Sequence, residues 1–181
     1  MMCTMAVIAV WMQAALNATP LEAGLAEAQS WVQPMIFGNT SMSEAKINQF
    51  EVLENHDPVQ CNQRNGHPMK MAGKEYARGL YCHAPSKVVV HLAQPAKSFE
   101  ALVGVDSNDQ TSGGRGSVIF SVSTADSALW TSDLLHEGMA PVPVALDLKG
   151  AREFTLSVAD GGDGISCDQA DWADAKVTLA D

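Results

Sequence analysis

The strongest constraint on the fold is a set of short runs in which apolar and polar residues alternate. In residues 117–123 (SVIFSVS), Val118, Phe120 and Val122 fall on every second position, and runs 142–148, 154–158 and 176–179 repeat the pattern. Successive side chains of a strand point to opposite faces, so a period of two is typical of a half-buried antiparallel strand. The apolar runs 86–92 and 99–105 are read as further strands. These patterns predict that the chain from about residue 50 onward is all-β.

The segments between these runs are rich in Gly, Asp, Ser and Pro. They cover residues 107–116, 137–141, 149–150 and 160–164. Short strands separated at regular intervals by such turns are typical of a β-sandwich or jelly roll. At 181 residues, the chain has room for one domain of this kind with a core of its own, plus a short appendage.

The charge balance excludes some classes of partner. The chain has 11 Lys and Arg residues against 21 Asp and Glu residues, which gives a formal net charge of −10. Nucleic acids and anionic membrane surfaces require a basic patch, so neither is expected as a partner. A neutral ligand or a divalent cation is compatible with this balance.

The N-terminal part has a different character. Residues 5–16 (MAVIAVWMQAAL) form an apolar run that is too short to span a bilayer, which needs about 20 residues. We predict a signal peptide over residues 1–23, and hence a secreted, periplasmic or extracellular protein without membrane insertion. The first positive charge is Lys46, so the run lacks the usual basic start, and an amphipathic N-terminal helix or a start codon inside a longer gene are the alternatives. Residues 24–47 are read as a short helical or disordered tail or linker before a body at 48–181.

The cysteines and histidines do not form a recognisable catalytic or zinc pattern. Signal cleavage would leave Cys61, Cys82 and Cys167, of which one pair could form a disulfide in an oxidising compartment. Cys82 and His83 are adjacent, so in a strand they point to opposite faces and cannot act as nucleophile and base. No zinc-ligand spacing connects the residues of this group: His56, Cys61, His67, Cys82 and His83.

Two loops are dense in side-chain oxygens. The first contains Asp106 and Asp109, and the second contains Asp163 and Asp168. Ca²⁺ takes six to eight oxygen ligands, commonly from flexible Gly-containing loops, so these four residues are candidate ligands of a structural Ca²⁺. The alternative is that Asp, Asn and Gly occur there because they favour turns.

Several segments of the body, taken together in their order and spacing, resemble the NPCBM domain, which is related to carbohydrate-binding module family 51. The segments are 73–86 (GKEYARGLYCHAPS), 103–106 (VGVD), 116–122 (GSVIFSV), 150–151 (GA), 160–164 (DGGDG) and 168–175 (DQADWADA). The resemblance implies a galactose-binding-like jelly-roll β-sandwich that binds carbohydrate without catalysis, with galactose-containing glycans as the best-known ligands. It also implies a Ca²⁺ ion and attachment, in related architectures, to a secreted glycoside hydrolase domain.

The sequence departs from the family pattern at two places. Tyr81 and Cys82 stand where Gly and Thr commonly precede the His of the family's HA motif, and Gln169 stands where a His is common. A Tyr in place of Gly restricts the backbone and adds a ring, and the loss of the His removes a donor and acceptor. Both changes bear on the ligand more than on the fold.

Five residues are the candidates for contact with sugar. His83 is the His of the HA motif, and Arg78 and Tyr81 precede it in segment 73–86. Asp171 and Trp172 lie in segment 168–175. An aromatic ring can stack on the apolar face of a sugar while polar side chains bind its hydroxyl groups, which would be the role of Trp172. The alternative is that His83 is a buried residue bonded to backbone and Trp172 a packing residue.

We therefore predict non-catalytic binding of glycan or polysaccharide. A single small sandwich whose acidic residues lie in turns is a poor host for the paired carboxylates of glycoside hydrolysis. Terminal sugars of galactose type are the expected ligands. The alternative is a structural or protein-interaction sandwich with a degenerate sugar site. The alternative predicts that His83, Asp106, Asp168 and Asp171 are buried and paired rather than gathered around an open aromatic ring.

Overall fold

The computed structural model describes residues 49–180, in which the chain forms strands and turns without a helix. The predicted signal peptide and linker at 1–23 and 24–47 lie outside the described residues. No helix in the described range is long and apolar enough to cross a membrane. The strands are β1 (Gln49–Asn55), β2 (Gln60–Cys61), β3 (Met69–Met71), β4 (Lys74–Tyr76), β5 (Gly79–His83), β6 (Ser86–His91), β7 (Ala96–Val105), β8 (Ser117–Ser123), β9 (Ala128–Thr131), β10 (Leu135–His136), β11 (Val142–Asp147), β12 (Glu153–Asp160) and β13 (Gln169–Leu179).

The described strands form two antiparallel sheets and one small hairpin. One sheet has the order β1-β6-β12-β8-β10, with β9 also paired to β8, and the other has the order β11-β7-β13-β5-β2. Strands β3 and β4 form the hairpin. The architecture confirms the prediction of an all-β, galactose-binding-like sandwich, and the crossovers between non-consecutive strands are those of a jelly roll.

The core lies between the two large sheets, where the predicted alternation places it. Val118, Phe120 and Val122 of β8 are fully buried, and the residues between them are partly exposed. Phe154 of β12 lies 5.2 Å from Phe99 of the opposite sheet, measured between ring centroids. The alternation of apolar and polar residues in these strands therefore indicates a sheet that packs one face against the core.

The β3–β4 hairpin covers the outer face of the second sheet. Met69, Met71 and Tyr76 of the hairpin pack against Tyr81 of β5 and Ala173 of β13 in a second apolar cluster. The first residues of β13 are therefore buried on both faces, and Gln169–Ala173 shows no exposed position. A strand covered on both sides loses its alternation, which explains why the start of β13 was not recognised from the sequence.

A β-bulge in β13 changes which residues face the core. The register between β13 and β7 shifts between Ala173 and Lys176, and Asp174 adopts a positive φ of 48°. Trp172 faces the core before the bulge and Val177 faces it afterwards, so the core positions change from even to odd numbers. One extra residue in a strand has this effect because the side-chain period is two.

Cys82 and Cys167 carry free thiols, so neither takes part in the disulfide that the sequence left open as a possibility. Cys82 is buried in the core, while Cys61 and Cys167 are partly exposed. Burial raises the pKa of the Cys82 thiol to about 12, so this side chain behaves as a small apolar group.

Candidate functional site: the loop end of the sandwich

One end of the sandwich carries two adjacent hollows. Strands β5 and β7 end there and β13 begins there, because β13 runs antiparallel to both of these neighbours. In the other sheet, β1 ends and β8 begins at the same end. The first hollow, of about 550 Å³, is lined by His56, Asp57, His83, Asp109, Gln110, Arg115, Ile165, Ser166, Cys167 and Gln169. The second, of about 460 Å³, is lined by Arg64, His67, Pro68, Lys70, Glu75, Asp106, Ser107, Asn108, Asp109 and Gln110.

Asp109 and Gln110 line both hollows and therefore mark the border between them. Both side chains are exposed. The loop that carries them is held by its own hydrogen bonds: the Thr111 hydroxyl donates to the Asp106 carbonyl, and the Arg115 guanidinium donates to the Asp109 carbonyl at 2.8 Å. The border residues thus stand on a braced loop, which suits a pre-formed binding site.

A network of side-chain hydrogen bonds lies beneath this border, with Gln169 at its centre. The Gln169 side-chain oxygen accepts from Arg64 Nε at 2.8 Å and from Asn108 Nδ2 at 2.7 Å. The Gln169 Nε2 group donates to Gln110 Oε1, which also accepts from Arg64 Nη2 at 2.8 Å. Both polar ends of the buried Gln169 side chain are therefore satisfied within the protein, and the network is rigid rather than adaptable.

His83 reaches the first hollow from the end of β5, and its tautomer is fixed. Its Nδ1 lies 2.9 Å from the carbonyl oxygen of Ala84, so Nδ1 carries a proton and donates it. The other ring nitrogen, Nε2, is then the acceptor in the neutral ring. The rings of His56 and His83 lie 4.7 Å apart, and both line the hollow. His83 is 6% exposed, so it can offer this nitrogen only at the floor of the hollow.

Two buried carboxyl groups, those of Asp106 and Asp171, lie side by side beneath the second hollow. Asp106 accepts hydrogen bonds from the Lys70 backbone N–H at 3.1 Å and from Asn108 Nδ2 at 2.6 Å, and its Oδ1 lies 3.6 Å from Arg64 Nε. Neither oxygen of Asp171 has a well-formed hydrogen bond. Burial raises the pKa of Asp171 well above its ordinary value, the Asp106 charge raises it further, and Arg64 opposes this.

We expect Asp171→Asn to stabilise the protein near neutral pH. A carboxyl group whose pKa is raised in the folded state stabilises the fold fully below its unfolded pKa of about 3.9. This stabilisation is lost as the pH rises through the folded pKa. The free energy of unfolding of the variant should exceed that of the wild type by an amount that grows with pH above about 4, by at most about 1.4 kcal/mol per pH unit. Urea denaturation between pH 4 and 8 measures the difference.

The exposed turn residue Asp126 provides the control for this experiment, since Asp126→Asn removes the same charge from the surface. Its stability difference from the wild type should change little over this pH range. A difference between wild type and Asp171→Asn that stays constant with pH would contradict a raised pKa at Asp171.

Three of the predicted sugar-binding residues line neither hollow. Trp172 is 0% exposed and lies in the core, so its ring is closed to a ligand and the stacking role predicted for it is wrong. Tyr81 is buried under the β3–β4 hairpin, and burial raises its pKa. Arg78 is exposed but precedes β5 at the opposite end from His83, roughly 16 Å away along the strand.

Asp171 also does not face a ligand, since its carboxyl group is fully buried beneath the second hollow rather than lining it. Of the five predicted residues, His83 alone lines a hollow at the loop end. The physical reason is that β5 and β13 are central strands of a sheet that is covered on both faces, so their side chains pack instead of projecting.

The four predicted calcium ligands separate into two places. Asp106 belongs to the buried network around Arg64, and Asp109 is exposed at the border. Asp163 and Asp168 meet at Ser117, whose Oγ donates to Asp163 Oδ1 and whose N–H donates to Asp168 Oδ1 at 2.7 Å. Over residues 49–180, no three Asp, Glu, His or Cys side chains come together in a geometry that holds a metal.

Three side chains at the loop end were missed from the sequence: Arg64, Asn108 and Gln110. Arg64 and Gln110 are 46 positions apart, and Gln169 is a further 59 from Gln110. No local spacing connects them, because the network forms only when two loops meet the first residue of β13. Gln169 did carry a signal, as a departure from the family pattern, and it is the centre of the network.

The chain is similar to parts of large glycoside hydrolases. It is 31% identical over 126 residues to an endo-alpha-N-acetylgalactosaminidase candidate of Renibacterium salmoninarum, covering 66% of this chain and 8% of the relative. It is 36% identical over 110 residues to Alpha-1,3-galactosidase B of Akkermansia muciniphila, covering 59% of this chain and 13% of the relative. The chain therefore spans about a tenth of the length of these curated relatives.

Among solved structures, the CBM51 module of GH95 from Clostridium perfringens, in complex with methyl-galactose, superposes with a TM-score of 0.64 and 26% identity. The match covers 71% of this chain and 92% of that module. The NPCBM/NEW2 domain matches residues 38–178, which is most of the chain. This chain is a member of the NPCBM/NEW2 family of carbohydrate-binding modules, as the resemblance of its motifs predicted.

Proposed function

We propose that this chain binds terminal sugars of galactose type through the two hollows at its loop end, without catalysing a reaction on them. The observation that carries the proposal is the braced border between the hollows, where the exposed Asp109 and Gln110 stand above a satisfied network. The similar module of Clostridium perfringens was solved with methyl-galactose, which supports the sugar class.

The chemistry of the site suits recognition of hydroxyl groups. The hollows offer carboxylate, amide, guanidinium and imidazole groups, each of which can bind a sugar hydroxyl. Each such hydrogen bond contributes only about 0.5–1.5 kcal/mol net of water, so the affinity for one sugar is expected to be weak. A weak module becomes effective when it is tethered or multivalent, as in the large hydrolases of which the relatives are examples.

The proposal extends to secretion and to a structural Ca²⁺, which the predicted signal peptide and the oxygen-rich loops support. Asp163 and Asp168 fit a cation better than Asp106 does, because the Arg64 guanidinium already lies beside the Asp106 carboxylate. Asp168 Oδ2 is buried without a hydrogen-bond partner, and the charges of Asp163 and Asp160 help to raise the pKa of Asp168, after burial itself. Ca²⁺ would supply the missing partner of this oxygen and neutralise the loop.

The test is a glycan array, run with and without a calcium chelator. We expect binding to glycans that end in galactose or N-acetylgalactosamine, and a loss of about tenfold in affinity for Asp109→Ala, since a hydrogen bond to a charged group contributes about 1.5–3 kcal/mol. Asp126→Ala, at an exposed turn away from the hollows, is the matched control. If chelation leaves both binding and thermal stability unchanged, the calcium proposal is wrong.

One observation favours a second candidate, the protein-interaction sandwich with a degenerate sugar site. His83, Asp106, Asp168 and Asp171 are all buried, and no Trp, Tyr or Phe lines either hollow. Absence of binding to every glycan of the array, with and without the chelator, would favour this candidate over carbohydrate recognition.

A further inference from the structure

The β3–β4 hairpin is held on the outer face of the second sheet by two methionines that lie over glycines. A Cβ at Gly104 of β7 would stand 2.8 Å from the sulfur of Met71, and a Cβ at Gly79 of β5 would meet the Met69 methyl group. A two-stranded hairpin is only marginally stable by itself in water, so its position depends on contacts of this kind. The main core lies between the two large sheets and includes no residue of the hairpin, so the hairpin can leave without unfolding the sandwich.

Two hydrogen bonds join the hairpin to the loop that follows β7. The Lys70 backbone N–H donates to Asp106 Oδ2 at 3.1 Å, and the Ser107 N–H donates to the Lys70 carbonyl at 2.6 Å. Pro68, Lys70 and Glu75 of the same segment line the second hollow. The position of the hairpin therefore decides whether this hollow has one of its walls.

The hairpin covers Asp171, which lies in the middle of the outer face of this sheet. Asp171 stands directly opposite Tyr81 of β5 on one side and Gly104 of β7 on the other, and Met71 packs over this row. Asp171 is 0% exposed, and neither of its carboxyl oxygens has a hydrogen-bond partner. A buried carboxylate without partners is strongly unfavourable. Asp171 is therefore compatible with the closed hairpin only while its carboxyl group is neutral.

The charges nearest to Asp171 do not compensate its ionisation. The Asp106 carboxylate at the end of β7 repels a second negative charge, and the Arg64 guanidinium, from the loop after β2, attracts it. Arg64 already lies 3.6 Å from Asp106 and donates to two glutamine side chains. One guanidinium thus faces two carboxyl groups and neutralises only one of them.

The remaining groups around Asp171 carry no charge toward it. Tyr81 and Cys82 lie beside it on β5, and burial raises the pKa of both groups, so both stay neutral where a carboxyl group titrates. From the hairpin, the backbone N–H of Lys70 acts on Asp171. The side chains of Lys70 and Glu75 are paired across the hairpin on the face opposite to Met69 and Met71, because successive side chains of a strand alternate.

We propose that the β3–β4 hairpin is a pH-controlled strap: ionisation of Asp171 releases it from the second sheet, and one wall of the second hollow leaves with it. Burial raises the pKa of Asp171 only while the hairpin covers it, so the closed form binds more protons than the open form. Opening therefore increases as the pH rises. The equilibrium constant for opening grows by up to about tenfold per pH unit between the open-form pKa, about 3.9, and the closed-form pKa.

Methionine oxidation measures this opening without any sugar, so the test is independent of the proposed function. Met71 is fully buried under the closed hairpin, and Met139 is 46% exposed in a distant turn. Hydrogen peroxide transfers one oxygen atom to the thioether sulfur and leaves water, and the thioether has no titratable proton. The ratio of the Met71 to the Met139 oxidation rate, read by peptide mass spectrometry, follows the open fraction. We expect this ratio to rise at least about tenfold between pH 4 and 8, with an unchanged circular dichroism spectrum.

Asp171→Asn keeps the shape of the side chain and removes its titration, so its ratio should change by less than about twofold over this range. Asp126→Asn, at an exposed turn, should follow the wild type. A wild-type ratio that is constant with pH would overturn the proposal, and so would a rise that persists in Asp171→Asn. A rise that occurs only together with loss of the circular dichroism signal would also overturn it, because the whole sandwich would then be unfolding. The wild-type profile is decisive even if a variant does not fold.

Discussion

Trp172→Ala is expected to lower the free energy of unfolding by about 3–5 kcal/mol, the usual cost of removing a buried large aromatic side chain. The indole of Trp172 is 0% exposed and meets the Phe120 ring edge to face at 5.1 Å, with Phe99 at 6.1 Å. Its removal leaves a cavity between the two sheets that neighbouring strands cannot close. Urea denaturation followed by tryptophan fluorescence and circular dichroism measures the loss.

Two variants separate packing from sugar contact. Trp130→Ala removes a partly exposed Trp at the edge of the first sheet and should cost clearly less, because less apolar area returns to water. Trp172→Phe keeps part of the packing and should bind sugar as the wild type does. Wild-type stability in Trp172→Ala, or loss of sugar affinity in a fully folded Trp172→Phe, would contradict the core role of this residue.

Gly79→Ala is expected to cost about 3 kcal/mol, the upper part of the range for forcing extra atoms into a packed site. A Cβ at this position would stand 2.6 Å from the carbonyl oxygen of Trp172 and 2.9 Å from the Cα of Ala173. Both are backbone atoms of the paired strand β13 and cannot move aside without breaking the sheet. The backbone of Gly79 also has a φ of +153°, which L residues rarely adopt. Thermal and urea unfolding measure the effect.

Gly66→Ala is the matched control for Gly79→Ala. Gly66 has a φ of +83° but no atom within 4 Å of the position of its Cβ, so only the conformational cost of about 1 kcal/mol applies. Equal losses for the two variants would show that crowding against β13 contributes nothing at Gly79.

The strands that sequence reasoning placed best are those with one face on the core and one on solvent. β8 was predicted over 117–123 and is observed as Ser117–Ser123, with Val118, Phe120 and Val122 buried as expected. β13 was predicted only over 176–179 but begins at Gln169, because its first residues are covered on both faces. The bulge after Ala173 then shifts the core-facing positions of β13 by one residue. A search for strict alternation misses a strand that contains such a shift.

The candidate site shows a similar division. His83 was found because it lies in a motif and ends a strand at the loop end, and the loop with Asp109 was found because it is rich in oxygen. Trp172 was misread because an aromatic residue beside acidic ones looks the same in sequence whether it packs inward or faces a ligand. Only its neighbours Phe99 and Phe120, on strands far away in the chain, decide the matter.

By itself, the sequence determined the all-β class, the positions of the turns and the family, because alternation and motif order are local properties of the chain. The tertiary structure alone decided which polar residues face a ligand. The hydrogen-bond network around Gln169 brings together residues from two loops and the start of β13, and the β3–β4 hairpin buries Asp171 and Tyr81. Hydrogen-bond direction and burial depend on contacts between distant segments, and such contacts exist only once the sheets have packed.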